Sequence, residues 1–210
     1  MGFYERCCLP IQIKWACALK PITKQRVKVV PEAEGRVLDV GCGAGSNFQF
    51  FDPARVSEVI AVEPNPMLAR WAERQASGTP GLPPVTVLQT GAESLPLDDD
   101  SIDTAVCTFV MCTIPDMAAS LTEIRRVLQP GGRLLFAEHG RAPAEDAGVY
   151  KWQRRMEPLQ KALAGGCHLT RQPVEMLTQG GFRVDRWEQA YMPRTPRFVG
   201  CMYWGAAAGA

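Results

Sequence analysis

Histidine is scarce in this chain, with two in 210 residues, and none of its eight cysteines forms a C-x-x-C pair. Cys7 and Cys8 are adjacent instead. A metal site assembled from local spacing is therefore poorly supplied with ligands, and none is expected. An excess of either charge is also missing: 23 Lys+Arg face 22 Asp+Glu, for a net charge of +1. Nucleic-acid binding needs a basic face, so no nucleic-acid partner is expected. The pairs Arg125-Arg126 and Arg154-Arg155 read as solvated helix faces. No run approaches the ~18 apolar residues of a membrane span, and no signal-peptide pattern is read. These absences point to a cytoplasmic protein with reduced thiols and no stable membrane insertion. Repeats are absent, and low complexity is confined to the small residues at 205–210.

What is present is an α/β pattern built around Arg36-Val37-Leu38-Asp39-Val40-Gly41-Cys42-Gly43-Ala44-Gly45-Ser46-Asn47. Val37, Leu38 and Val40 form a β-prone apolar run. The glycines that follow allow a sharp turn and close approach of a ligand to the backbone. Ser46 or Asn47 is placed to cap a following helix, giving a strand–turn–helix that presents backbone N–H groups and a positive helix end. A second strand, Val59-Ile60-Ala61-Val62, ends in Glu63. A carboxylate at that tip is suited to both hydroxyls of a ribose. The first inference is a nucleotide-like cofactor at the carboxyl edge of a parallel sheet.

Before this core, residues 1–34 carry a short mixed apolar pattern. It is expected to form one helix between Pro10 and Pro21, covering the sheet or cleft. After the glycine turn a short helix is expected to Phe51. Asn65 caps a helix with Pro66 in its first turn, through Met67, Leu68, Trp71 and Ala72. Strands are expected at 85–90, 104–110 and 133–138. An amphipathic helix over 116–128 buries Met117, Leu121, Ile124 and Leu128, and Pro130-Gly131-Gly132 stops it. Five strands alternating with four helices imply a parallel sheet with right-handed crossovers. Beyond it lie helices at 145–163 and 170–178. Strand-like stretches follow at 182–192 and 197–204, which no helix separates and which should pair antiparallel. The fold class is thus a Rossmann-like, seven-stranded, mostly parallel sheet with helices on both faces and a C-terminal antiparallel hairpin. It reads as one domain: a cap over 1–34, a cofactor core over 35–140 and acceptor-side elements over 141–210.

Together these motifs resemble the class I S-adenosylmethionine (SAM) dependent methyltransferases of the small-molecule branch, which includes the ubiquinone-biosynthesis-like enzymes. The likeness covers about residues 35–140 through Val37 to Gly45, Val62-Glu63-Pro64, Ala92-Glu93-Ser94-Leu95-Pro96, Phe109 to Pro115 and Leu128 to Gly132. Further details are similar to the methyltransferase-like subgroup whose animal members methylate thiols. They are Gly45-Ser46-Asn47-Phe48, Cys107 to Cys112, Glu138-His139, Trp152-Gln153 and Gly166 to Arg171. The animal proteins carry an N-terminal hydrophobic anchor; here Lys14 and Lys20 interrupt the apolar stretch.

The resemblance implies S-adenosyl-L-methionine as cofactor and a small-molecule methyl acceptor as partner. It implies that Gly41, Cys42 and Gly43 approach the methionine part, that Asp39 and Asn47 orient the turn and tail, and that Glu63 takes the ribose. Pro64, Met67 and Ala92 fall around the adenine, with Leu95 opposite Met67. An aspartate often found after the third strand is replaced by Gly91, which leaves Glu93 to brace the loop or meet the adenine amino group. Thr108 faces the sulfonium. His139 and His168 are the candidate acid–base or positioning groups on the acceptor side, and Trp152, Met156 and Phe109 the candidate apolar pocket. Cys167 is not expected to act as a nucleophile, since the chemistry needs no covalent enzyme intermediate.

The resemblance to the subgroup that methylates thiols favours a thiol acceptor, and a thiol with pKa ~8.5, partly ionised near neutrality, would need no strong base. A carbon or oxygen methyltransferase on a quinone-like or phenolic acceptor, and a non-catalytic SAM-binding module, remain open. An NAD-dependent oxidoreductase is disfavoured by the spacing G-x-G-x-G in place of G-x-G-x-x-G.

Overall fold

The computed structural model describes residues 4–209. Seven strands form a single sheet in the order β3-β2-β1-β4-β5-β7-β6. They are β1 Gly35–Val40, β2 Val56–Val62, β3 Val85–Leu88, β4 Ile102–Thr108, β5 Leu128–His139, β6 Phe182–Tyr191 and β7 Cys201–Gly209. The first five run parallel, and β7 lies antiparallel between β5 and β6.

The parallel strands are apolar nearly throughout because both faces are covered. Leu38, Val40, Ile60, Val62, Ala105, Cys107, Leu134 and Phe136 project into one core. Helices α4 (Met117–Val127) and α6 (Pro173–Gln179) close it through Leu121, Ile124 and Leu177. Val37, Val59, Ala61, Val106, Leu135 and Ala137 project into the other. There Ala72 of α3 (Pro66–Gly78), Ile22 of α2 (Lys20–Arg26) and the buried Val29 and Val30 complete the packing.

Several local expectations are met by the stated chemistry. Asn65 Oδ1 accepts from the Met67 and Leu68 N–H groups at 2.9 and 3.2 Å, capping α3. Asp116 accepts from Ala119 N–H at 3.0 Å and caps α4. Others need correction. The N-terminal segment forms two helices, α1 (Leu9–Cys17) and α2, because Leu19 is extended (ψ 136°) and Pro21 opens a new helix. Residues 1–3 of the expected cap lie outside the described residues. The helix after the glycine turn is only a 3₁₀ turn, Phe48–Phe50, and Asn47 makes no side-chain cap to it. No helix joins β3 to β4, so α3 and α4 are the α-helical crossovers among the parallel strands.

Pro130-Gly131-Gly132 do end α4, but as part of β5, where the register with β4 shifts. The strand expected over 197–204 starts later: Arg197–Gly200 is a short helix, α7, and β7 follows. The small-residue tail is thus an interior strand. Ala206 and Ala207 are buried in opposite cores, and a Cβ at Gly205 would overlap the Arg186 carbonyl at the bulge in β6. At Gly205 the close approach of β6 leaves no room for a side chain.

Candidate functional site

The site sits where β1, β2 and β4 end together, the edge at which open α/β sheets bind ligands. Beyond β1 the chain turns at Gly41 in a left-handed conformation (φ +62°), and a Cβ there would overlap the Val110 side chain. Only glycine meets both demands. Cys42 N–H donates to Val62 O at 3.0 Å, tying the turn to β2. The Cys42 thiol faces the protein interior, and burial raises its pKa well above the ordinary value. The Cys42 carbonyl in turn accepts from Gly45 N–H at 3.0 Å, so Cys42 shapes the turn through its backbone.

Asp39, Asn47, Thr108 and Arg26 form one buried network. Asn47 Nδ2 donates to Asp39 Oδ1 at 2.7 Å, and Asn47 Oδ1 accepts from Thr108 Oγ1 and Arg26 Nε, each at 3.0 Å. Burial pushes the Asp39 carboxyl up to about 7, against the pull of the Asn47 hydrogen bond and the Arg26 charge. Its second oxygen, Oδ2, is enclosed and has no partner. Arg26 also stacks over Phe109, 5.1 Å from its ring centroid. Phe109 itself is left-handed (φ +55°), a strained conformation for a bulky residue at the tip of β4.

Glu63 crosses from β2 to the glycine turn. Its Oε2 accepts from Gly43 N–H at 3.1 Å and its Oε1 from Asn65 N–H at 2.9 Å. Burial raises its pKa, and these two donors offset part of the rise. Met67 is half-buried at the start of α3, and Pro64 beside it is exposed. In the loop after β3, Ala92 and Leu95 are buried. The Glu93 carboxylate lies over Gly91, in the space that a side chain at position 91 would take.

The acceptor-side residues are placed differently. His139, the last residue of β5, puts Nε2 3.1 Å from Cys167 Sγ, while its Nδ1 is enclosed without a partner. Burial disfavours the His139 cation, but the Cys167 sulfur and Glu138 outweigh it and raise its pKa. The Cys167 thiol is lowered well below its ordinary value by its hydrogen bond with Cys112, against burial and with help from His139. His168 Nδ1 lies 3.4 Å from Glu157 Oε1, and burial is the first cause of its lowered pKa. Trp152 is 57% exposed and does not line an enclosed pocket. It lies on the solvent side of α5 (Ala147–Leu163), while the next residue, Gln153, is buried. Gln153 accepts from Ala142 N–H at 2.7 Å and donates to Gly140 O at 2.9 Å, pinning the chain after β5. A separate depression of about 380 Å³ beside the hairpin, lined by Tyr150, Trp187 and Tyr203 among others, includes no residue of the glycine turn.

Asp39, Gly43, Asn47, Glu63 and Thr108 are therefore brought together. Arg26 has no signal in the sequence, and Glu138 and Gln153 enter it only inside the motifs Glu138-His139 and Trp152-Gln153, without a role of their own. Glu138 is buried at the end of β5 and accepts from Val110 and Met111 N–H groups at 2.8 and 3.1 Å. Burial lifts its carboxyl to about 7.

The residues fit a cofactor with a cationic tail and a ribose. The unpartnered Asp39 Oδ2 is a buried acceptor awaiting a donor, since such atoms are rarely left unpaired. A Cβ built at Gly43 meets no atom within 4 Å, so the turn is open on that side.

Comparison with known proteins agrees with this geometry. Residues 38–136 match the family model described as "Methyltransferase domain". A rat protein named thiol S-methyltransferase TMT1B is 37% identical over 80% of this chain and 70% of its own length. The human TMT1B protein is 33% identical over 83% of this chain and 74% of its own length. The solved structure of a SAM-dependent methyltransferase from Methanosarcina mazei superposes with a TM-score of 0.64 and is 23% identical. It covers 82% of this chain and 91% of that one, and shows the shared fold.

Proposed function

Because this chain belongs to the class I S-adenosylmethionine-dependent methyltransferases, we propose that its acceptor is a small lipophilic thiol. The cofactor is S-adenosyl-L-methionine. The observation that carries the acceptor class is the likeness, over about four fifths of the chain, to proteins named thiol S-methyltransferases.

Asp39 Oδ2, with the Gly41–Gly43 backbone and Asn47 behind it, takes the methionine end. Glu63 takes the ribose. Pro64, Met67, Ala92 and Leu95 border the adenine, and the Glu93 carboxylate stands in for a side chain at position 91 toward its amino group. Thr108, held by Asn47, borders the sulfonium position. When bound, the cofactor supplies a methyl group on a positively charged sulfur, so transfer is a displacement that needs alignment more than acid–base help. The chain's task is to hold this geometry and keep water out. His139 and His168 act on the acceptor side as positioning groups, each already engaged with Cys167 or Glu157. All eight cysteines are free thiols, which suits a reducing compartment such as the cytoplasm.

The test is methyl transfer from SAM to alkyl and aryl thiols, read by mass spectrometry beside phenol and quinol acceptors. Thiol preference supports the reading. Preference for quinols makes the chain a carbon or oxygen methyltransferase. Binding of S-adenosylhomocysteine without turnover on any acceptor makes it a SAM-binding module.

A further inference from the structure

Three soft ligands from distant parts of the chain converge behind the acceptor side. Cys112 lies in the loop after β4, His139 ends β5, and Cys167 sits in the turn after α5. One ligand atom from each lies within 4.8 Å of the others. Both cysteines are buried, at 4% and 6% exposure, so their sulfurs face each other and the imidazole more than water.

The three segments are cross-tied independently of these side chains. His168 N–H donates to Cys112 O at 2.9 Å, which holds the two cysteine segments side by side. Arg171 Nη1 donates to the Met111 and Ile114 carbonyls at 2.6 and 2.9 Å, fixing the loop that carries Cys112. Glu138 Oε1 ties the same loop to the residue preceding His139. The proposed chemistry of methyl transfer uses neither sulfur. A scaffold that aims two thiols and an imidazole at one point, with no other use for the two sulfurs, has the form of a preorganised metal site.

We propose that Cys112, His139 and Cys167 bind one thiophilic divalent ion of the zinc class. The ligands are the two sulfurs and His139 Nε2. Two thiolates and an imidazole are a soft-to-borderline set that disfavours magnesium and calcium. Three protein ligands leave one tetrahedral position for a non-protein ligand. Bonds of about 2.3 Å to sulfur and about 2.0 Å to nitrogen place a tetrahedral S···N pair about 3.5 Å apart. The observed 3.1 Å between His139 Nε2 and Cys167 Sγ must therefore open slightly. Metal-free, a proton shared between these two atoms holds them closer than an ion would. On binding, the protons on sulfur and on Nε2 pass to solvent and the ion takes their place. The ion then ties the turn after α5 to the ends of β4 and β5.

The test uses the full chain, purified with reductant under anaerobic conditions and stripped with a chelator. Zn²⁺ is titrated against a chromophoric chelator, and Co²⁺ is followed in the visible and near ultraviolet. The expected result is one equivalent of tightly held Zn²⁺, and a Co²⁺ spectrum with tetrahedral d–d bands and sulfur-to-cobalt charge transfer. Cys112→Ser, Cys167→Ser and His139→Asn each weaken Zn²⁺ binding at least 100-fold. Cys8→Ser and Cys17→Ser, outside the cluster, leave it unchanged. Substoichiometric or weak uptake by the reduced wild type overturns the proposal and leaves a thiol pair open to oxidation. So does loss of binding in the Cys8 or Cys17 variants alone. Should the ligand variants fail to fold, the wild type decides: a Tm that does not rise with one equivalent of Zn²⁺ also overturns it. None of these readouts depends on turnover.

Discussion

Asn47 stands between Asp39 and Thr108, donating to the first at 2.7 Å and accepting from the second at 3.0 Å. The tip of β1 and the tip of β4 are thereby coupled through one amide. Arg26 joins the same oxygen from α2, so the N-terminal segment is tied to the cofactor edge as well as packed beside it. Asn47→Ala leaves an acid, a hydroxyl and a guanidinium buried without this partner. It should lower stability by about 3 kcal/mol or more, since each of the three unsatisfied buried groups costs about 1–3 kcal/mol. Urea unfolding measures this, and calorimetry with S-adenosylhomocysteine should show weakened binding in the same variant.

Asp39 ties stability to pH. Its carboxyl, at about 7 in the folded chain against 3.8 in the unfolded one, retains a proton that the unfolded chain has lost. Between those values the folded state binds more protons, so stability falls as pH rises, and the full penalty stands above pH 7. Asp39→Asn removes this slope while keeping an oxygen for Asn47. Its unfolding free energy should gain on the wild type from pH 5 to pH 8, while its cofactor affinity drops. A constant gap across that range would show that Asp39 is not the source.

Glu63 already accepts from two backbone N–H groups, and a glutamine keeps only one suitable oxygen. Glu63→Gln should weaken S-adenosylhomocysteine binding about tenfold or more, on the scale of a hydrogen bond to a charged group. Unchanged affinity in a folded variant removes the ribose assignment.

Gly91 and Glu93 compete for one volume. Gly91→Asp should weaken cofactor binding several-fold in the wild type, because the new side chain meets the Glu93 carboxylate. In a Glu93→Ala background the same change should restore affinity. The double-mutant cycle, read by calorimetry, should show coupling of opposite sign to the single effect. Additive losses would mean that the two positions do not share a role.

Much of this was legible in the sequence because it rests on short-range rules. The apolar run into the glycine turn, the Asn65 cap with Pro66, and Glu63 at a strand tip are local patterns whose physics acts within a few residues. The first half of β7 falls in the strand expected over 197–204, but its second half, 205–209, was hidden because alanine and glycine have weak β-propensity and look like a tail. Their place is set by pairing with β5 on one side and β6 on the other, which no window of sequence contains. Trp152 stands with Met156 and Phe109 as a candidate apolar pocket in the sequence, whereas the phase of α5 turns it outward and buries Gln153. Arg26, a charged residue on a short helix, looks like surface until Asn47 and Phe109 appear beside it. Cys112, His139 and Cys167 are separated by 27 and 28 positions, beyond any spacing rule for ligands.

The placement of β7 also bears on the order in which the chain is made. β5 and β6 are both synthesised before the strand that lies between them. Until β7 emerges, β5 ends the parallel sheet with an open row of N–H and C=O groups, and β6 has no partner at all. The nascent protein can complete the glycine turn and its neighbouring strands early, yet it must keep an adhesive edge exposed until β7 arrives. A ribosome that stalls before residue 201 would therefore carry a cofactor-side half that is built and an unprotected sheet edge ready to pair with another chain.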